Sequence, residues 1–381
     1  VRDQAGRLLL AAGERIDTPE QLRLITGQPL FATEEESQQW MRRLQHAMGD
    51  MIRRGATLSQ VVAVEPEPEP RDARQAAPVS LPEQWDQLVS QLDASLREVK
   101  PDGEGLSRLH DVYARSRALL ARHPDAALYL GVFEAGQSVQ RYASRHAMLA
   151  MQVCVLASPL LGWPQERQET LALAALTMNV AMHRLQDQLA SGDAAITPSI
   201  RAQIDRHPLL GAEMLAAAGV QDDLWLEVVR LHHDAADASQ PLASLPPARQ
   251  LARLLRRVDI FTAKVSRRTT RAPMSPVQAA REACLGPDGL PDEIGGALLR
   301  AIGLYPPGSF VELVSGELGI VIARGRRANL PLVGALVGSS GAALMQPLLR
   351  DTTDRRHAVK GVVPAQAVKV RPPHNQLLAL R

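Results

Sequence analysis

Between residues 83 and 303, apolar positions recur every three or four residues almost without a break. WDQLVSQLDASLREV puts Trp85, Leu88, Leu92 and Leu96 on one stripe, which predicts a helix with one buried face. LSRLHDVYARSRALLARH and DAALYLGVFEA continue the pattern. HAMLAMQVCVLASPLLGW is apolar nearly all round, so it predicts a helix inside the core that stops at Gly162-Trp163-Pro164. ERQETLALAALTMNVAMHRLQDQL predicts one further buried helix. SIRAQIDRHPLLGAEMLAAAG, DDLWLEVVRLHHDAAD, PPARQLARLLRRVDIFTAKVS and SPVQAAREACL complete the set. Such a succession with short loops implies a helical bundle.

The pattern changes on either side. SFVELVSGELGIVIARG alternates around a Gly turn and predicts a hairpin, and LPLVGALV, HAVKGVV and AVKV add short strands. We read residues 306–381 as a small β-barrel or sandwich. At the other end, DQAGRLLLAAGERI, TPEQLRLI and EEESQQWMRRLQHAMGDMIRR predict a strand and two helices, a small α+β domain over residues 1–62. AVEPEPEPRDARQAAPVSLP, residues 63–82, alternates Glu with Pro, cannot be helical and stays solvated, so it reads as a linker. The fold class is therefore mainly α: a bundle over 83–305 between two small flanking units.

Composition narrows the function classes. Aromatics are 3% of the 381 residues, so Leu, Ala, Val and Ile must build the core. The formal charge is +2 with scattered basic residues, which gives no nucleic-acid footprint. Cys154 and Cys284 lie in apolar helical patterns and read as buried small hydrophobes of a reducing compartment. No apolar run reaches the roughly 18 residues of a membrane span, and no signal peptide is visible, so the expected location is the cytoplasm.

Histidines fall at chemically interesting places. His146 stands at the start of an apolar helix, His207 precedes Pro208 at an expected helix end, and His232 and His233 are adjacent. Asp259 lies among apolar residues, where a carboxylate needs a partner. Imidazoles and carboxylates converging from several helices are how bundles build metal sites. Taken singly, each histidine is better explained as a hydrogen-bonded core residue than as a ligand, and His110, His123 and His183 are read that way.

At these residues the chain resembles the HD-GYP family, bacterial metal-dependent phosphodiesterases of the all-helical HD-domain fold that hydrolyse cyclic di-GMP. The resemblance runs from roughly His146 to Gly319 through RHAMLA, ALAALTMN, RHPLLGAEML, RLHHDAAD, RVDIFTA and SPVQAAREA, closing with GLYPPGSFVELVSGELGIVI. It implies a metal site built from His146, His207, His232, His233 and Asp259. It also exposes departures. Met178 stands where the family has a ligand histidine, and Asn179 where it has the aspartate bridging two metals. Met182 replaces a lysine that meets substrate phosphate. In HHDAADASQP, Asp234 replaces Glu, Asp237 matches the family aspartate, Ala238 and Gln240 replace glycines, and the tyrosine is missing. Tyr142 occupies the place of a glutamate that in some members holds an extra metal.

The bridging carboxylate of a two-metal site holds its ions about 3.5–4 Å apart. Asparagine is neutral, and methionine sulfur is too soft for Fe, Mn or Mg. The expectation is thus a catalytically degenerate signalling protein that binds either one divalent metal (Fe, Mn or Mg) or none. Its partners would be a protein of the signalling system or cyclic di-GMP, without a membrane span or nucleic acid. The competing expectation is an active, divergent phosphohydrolase on the five surviving ligands. Arg145, Arg206 and Arg230 flank the histidines and are candidates to meet substrate phosphate, or else lie on solvated helix faces.

Overall fold

The computed structural model describes residues 79–380, apart from 101–102, 194–195, 237–238 and 287, together with Thr26 and Leu30. The predicted domain at 1–62, most of the linker, and Asp237 and Ala238 lie outside the described residues. Val79–Arg381 forms one compact unit. Its helices are α1 (Leu81–Arg97), α2 (Glu104–Arg122), α3 (Pro124–Gln137), α4 (Tyr142–Ala157), α5 (Gln165–Thr177), α6 (His183–Ser191), α7 (Pro198–Ala217), α8 (Asp223–Leu231), α9 (Pro247–Val265), α10 (Pro276–Cys284) and α11 (Glu293–Ile302). A last short helix, α12 (His374–Leu378), follows the sheet.

Helix α1 starts where local chemistry allows it. Ser80 and Glu83 form a capping box, the Ser80 N–H donating to the Glu83 carboxylate at 3.0 Å, and Pro82 needs no donor in the first turn. Trp85, Leu88, Leu92 and Leu96 are all buried, as their spacing predicts. Helix α4 is buried nearly all round and packs against α1, α3, α5, α6, α9 and α11, so it is the axis of the bundle. Both cysteines are buried thiols, and burial pushes Cys284 up to about 11 and Cys154 higher still.

Two helix boundaries differ from the sequence expectation, and both fall at candidate site residues. The apolar run around Met178 is not one helix. Helix α5 ends at Thr177, a single 3₁₀ turn spans Val180–Met182, and α6 begins at His183. Asn179 leaves the helical region at φ −106°, ψ 15°. Thr177 turns its hydroxyl back on the Leu173 carbonyl at 2.8 Å and accepts the Trp225 indole N–H at 2.8 Å, clamping the end of α5 onto α8. Conversely, α7 does not stop at His207 but runs through Pro208.

The C-terminal strands form one antiparallel sheet in the order β4-β3-β2-β1-β5, with β1 (Phe310–Leu313), β2 (Leu318–Ala323), β3 (Leu332–Val337), β4 (Ala343–Asp351) and β5 (Val359–Val362). The expected hairpin is β1–β2. The expected barrel is instead an open sheet, with β4 and β5 as its edges. AVKV is not a strand: a 3₁₀ turn spans Ala365–Ala367, between Pro364 and the Pro372-Pro373 pair. One face of the sheet shares the bundle's core through Ile320, Ile322 and Leu336, and Val311, Leu313, Val321 and Val333 pack together separately. Asp125 of α3 accepts from the Arg324 Nε at 2.5 Å, and Arg324 also donates to the Ala301 carbonyl, tying sheet to bundle.

Candidate functional site

His207 and His232 are aimed by the backbone. Pro208 has no N–H, so it cannot bond the Ile204 carbonyl four residues before it. That carbonyl is free, and the His207 Nδ1–H donates to it at 2.5 Å. At the end of α8, the Val229 carbonyl lies in the last turn, and the His232 Nδ1–H donates to it at 2.6 Å. A carbonyl can only accept, so each Nδ1 carries the proton and each Nε2 presents a lone pair. These two Nε2 atoms face each other at 3.2 Å.

Two lone pairs at that distance repel unless a cation lies between them. A proton is a poor candidate at neutral pH. Burial pushes His207 down to about 4 and His232 down to about 3, the His233 ring adding to both effects. A metal ion fits better. Nitrogens bound at about 2.0–2.1 Å to a tetrahedral ion lie about 3.3 Å apart. Anchoring the remote nitrogen on a backbone carbonyl is also how metal-binding imidazoles are commonly oriented. His233 completes a triad: its ring lies 4.3 Å from that of His232 and 5.1 Å from that of His207, and all three offer a nitrogen within 4.8 Å of the others.

Asp259, on α9, joins the triad to His146. Its Oδ2 is 3.8 Å from the His233 Nε2, and its Oδ1 accepts the His146 Nε2–H at 2.8 Å. Burial would raise its pKa, but the His146 hydrogen bond and the nearby imidazoles outweigh this and hold it well below the usual carboxylate range. Asp259 is therefore an ionised carboxylate with one oxygen turned toward the triad. His146 uses its Nε2–H on Asp259 and stacks on Tyr142, ring centroids 6.0 Å apart, while its buried Nδ1 has no hydrogen-bond partner among the described residues. The Tyr142 hydroxyl accepts from Arg268.

Met178 and Asn179 contribute differently. The Met178 side chain is fully buried in the apolar core. Asn179 is nearly buried, and its amide makes no hydrogen bond among the described residues. The turn that follows packs on α7, the helix carrying His207. Of the three flanking arginines, Arg145 is held by Glu134 at 2.5 Å and by Asp86 at 3.4 Å, and Arg230 pairs with Glu227 at 2.8 Å. Arg206 is exposed on α7 without an ion pair among the described residues.

A second group was not anticipated, because His183 reads as an ordinary core residue. His183, Asp93 and Asp187 bring ligand atoms within 4.8 Å of one another. Arg97 already bonds both carboxylates, at 2.7 and 2.8 Å, and Ser144 bridges Asp93 to the His183 Nε2. The guanidinium supplies there the positive charge that a cation would bring, so this is a neutralised polar network. A sequence signal existed: His183 and Asp187 are four apart on a short helix, as are Asp93 and Arg97 on theirs.

No family model matches the chain. No solved structure matches it either. Over 232 residues, 60% of its length, the chain is 24% identical to a cyclic di-GMP phosphodiesterase, PA4108, of Pseudomonas aeruginosa. The match spans 55% of that protein. The chain is thus a distant relative of a cyclic di-GMP phosphodiesterase, mainly helical with a small antiparallel C-terminal sheet, and no described helix is long and apolar enough to cross a membrane.

Proposed function

We propose that this chain is a divergent HD-GYP-type signalling protein that keeps one cation site and binds a cyclic dinucleotide or a protein partner without hydrolysing the phosphodiester. The observation that carries the reading is the contrast between two halves of the site. His207, His232 and His233 converge, with Asp259 beside them. At the positions of the family's His-Asp dyad stand a core-buried thioether, Met178, and a neutral amide, Asn179. The ion, when bound, would supply Lewis acidity and charge toward a phosphoryl oxygen. Its ligands would be the Nε2 atoms of His207 and His232, a nitrogen of His233 and the Asp259 carboxylate. His146 would orient Asp259. Nothing at 178–179 offers the carboxylate needed to bridge a second ion, and a water shared between two ions is what the two-metal hydrolysis requires.

The test combines metal analysis with a turnover assay on one anaerobically purified sample. The expected result is about one divalent transition-metal ion per chain, lost in His207→Ala, and no linear dinucleotide product from cyclic di-GMP with added Mn²⁺ or Fe²⁺. Two ions per chain with sustained product would refute the reading in favour of an active divergent phosphohydrolase. Absence of any metal would remove the cation site.

A further inference from the structure

Helix α9 carries a second concentration of charge, on a face next to Asp259. Arg249, Arg253 and Arg256 follow one another at steps of four and three, one stripe along the helix, with Arg257 beside it. The four line a cleft of about 340 Å³ between α9, the end of α8 and the end of α10. Leu231, Leu245, Ile260 and Leu285 give it apolar walls. The cleft lies at the lower end of the roughly 300–1,000 Å³ range of small-molecule sites, and it has their usual make-up of apolar walls and a few polar groups.

Among the described residues the charges do not balance. Asp234 takes Arg249 at 3.2 Å. Asp292 takes both Arg253, at 3.2 Å, and Arg257, through two bonds of 2.7 and 2.6 Å. Glu282, on the rim, is already engaged by Lys264. Arg256 has no ion pair or hydrogen bond among the described residues. Like charges one turn apart on a helix destabilise it slightly, and an anion in the cleft would relieve that cost. Arg253 and Arg257, 15% and 11% exposed, are held in place by Asp292, while Arg249 is 37% exposed and reachable from solvent. A compact ligand with a terminal phosphate fits both the recess and the apolar walls.

We propose that this cleft binds a nucleoside monophosphate, its phosphate on Arg256 and Arg249 and its base against the apolar walls. Guanidinium forks match phosphate oxygens, and arginine planes also stack on bases. The site adjoins the histidine triad without sharing a ligand with it. Arg249 holds Asp234, the residue after His233, so a phosphate that claims Arg249 releases the start of that loop. The inference stands whether or not the triad binds metal.

Calorimetry on the full chain with a chelator present tests it, using adenosine and guanosine 5′-monophosphates, inorganic phosphate and guanosine as probes. At least one monophosphate should bind tighter than either phosphate or guanosine alone. Arg256→Ala should weaken it about tenfold or more, the scale of losing one charge-assisted hydrogen bond. Arg256→Glu should abolish it, and His207→Ala should leave it unchanged. Arg256 is without a partner among the described residues, so its variants should melt with the parent; Arg256→Gln serves if the reversal does not fold. No binding at millimolar ligand would overturn the proposal. So would inorganic phosphate binding as well as the nucleotides, or a loss in His207→Ala but not in Arg256→Ala, which would put the anion at the triad instead.

Discussion

The depressed histidines make a quantitative prediction about acid stability. In the folded chain His207 titrates at about 4 and His232 at about 3. Unfolded, each returns to about 6.5. A folded pKa below the unfolded one means that the stabilisation is complete above about pH 6.5. It is lost as the pH falls toward the folded values, because the unfolded chain takes up protons that the folded chain refuses. Near pH 5 the unfolded imidazole is already about 1.5 units below its pKa, while the folded one is still neutral. At about 1.4 kcal/mol per unit, each histidine then costs about 2 kcal/mol of stability, and the pair about 4. Urea unfolding of chelator-treated protein near pH 7.5 and pH 5, parent against His232→Gln, isolates the effect. Every other titrating group contributes nearly equally to both proteins, so the difference in pH dependence belongs to His232 and its coupling to His207. The parent should lose more stability on acidification than the variant by about 2 kcal/mol. Equal slopes would mean that His232 is charged or exposed in the folded state, and the facing lone pairs would go with it.

Three further outcomes follow from single contacts. Added Mn²⁺ or Zn²⁺ at about a hundred times its dissociation constant should stabilise the chain by about 3 kcal/mol, read as a rise in melting temperature that vanishes in His207→Ala. Thr177→Val removes the acceptor of the buried Trp225 indole N–H and should cost about 1–3 kcal/mol in chemical denaturation, with intact helical circular dichroism. Gly295→Ala would set a Cβ 1.9 Å from the Cys284 carbonyl oxygen, so α10 and α11 must move apart; a loss of about 3 kcal/mol or more is expected, and a variant as stable as the parent would contradict that close approach.

The periodicity made the bundle legible, since the 3–4 spacing of Trp85, Leu88, Leu92 and Leu96 translates directly into burial. What escaped it were positions where one residue carries two meanings. Pro208 reads as a helix stop. Inside α7 it frees the Ile204 carbonyl that aims His207, a role visible only once the ring and the carbonyl lie in one turn. Strand β4 was not among the expected strands, and it carries Pro347, a residue disfavoured inside a sheet. Yet β4 is an edge of the sheet, where a missing donor is tolerated. The run through Met178 is apolar apart from Thr177 and Asn179, and a lone Asn inside an apolar stretch is too weak a signal to mark the break there. The break depends on Thr177 turning its hydroxyl inward and meeting a tryptophan 48 residues away. The converging histidines were legible as types and spacings. The lone-pair geometry was not, because it depends on which ring nitrogen the backbone claims.

Under the proposed reading, that geometry also accounts for how one half of a two-ion site could persist while the other half diverged. The orienting partners of His207 and His232 are carbonyls of their own helices, Ile204 and Val229, and Asp259 is held by His146. None of these contacts passes through residues 178–182. On that reading, a methionine at 178 in place of a ligand histidine adds to the apolar core without disturbing the triad, and the neutral Asn179 leaves no ionised group unpaired there. Under the proposed reading, sequence change at the dyad acts on the number of ions and not on the remaining first ligands. A variant restoring both positions, Met178→His with Asn179→Asp, should then raise metal content from one ion toward two. Because Met178 is a fully buried core residue, it should do so at a cost in stability. Gain of a second ion without loss of stability would show that position 178 faces the site and not the core.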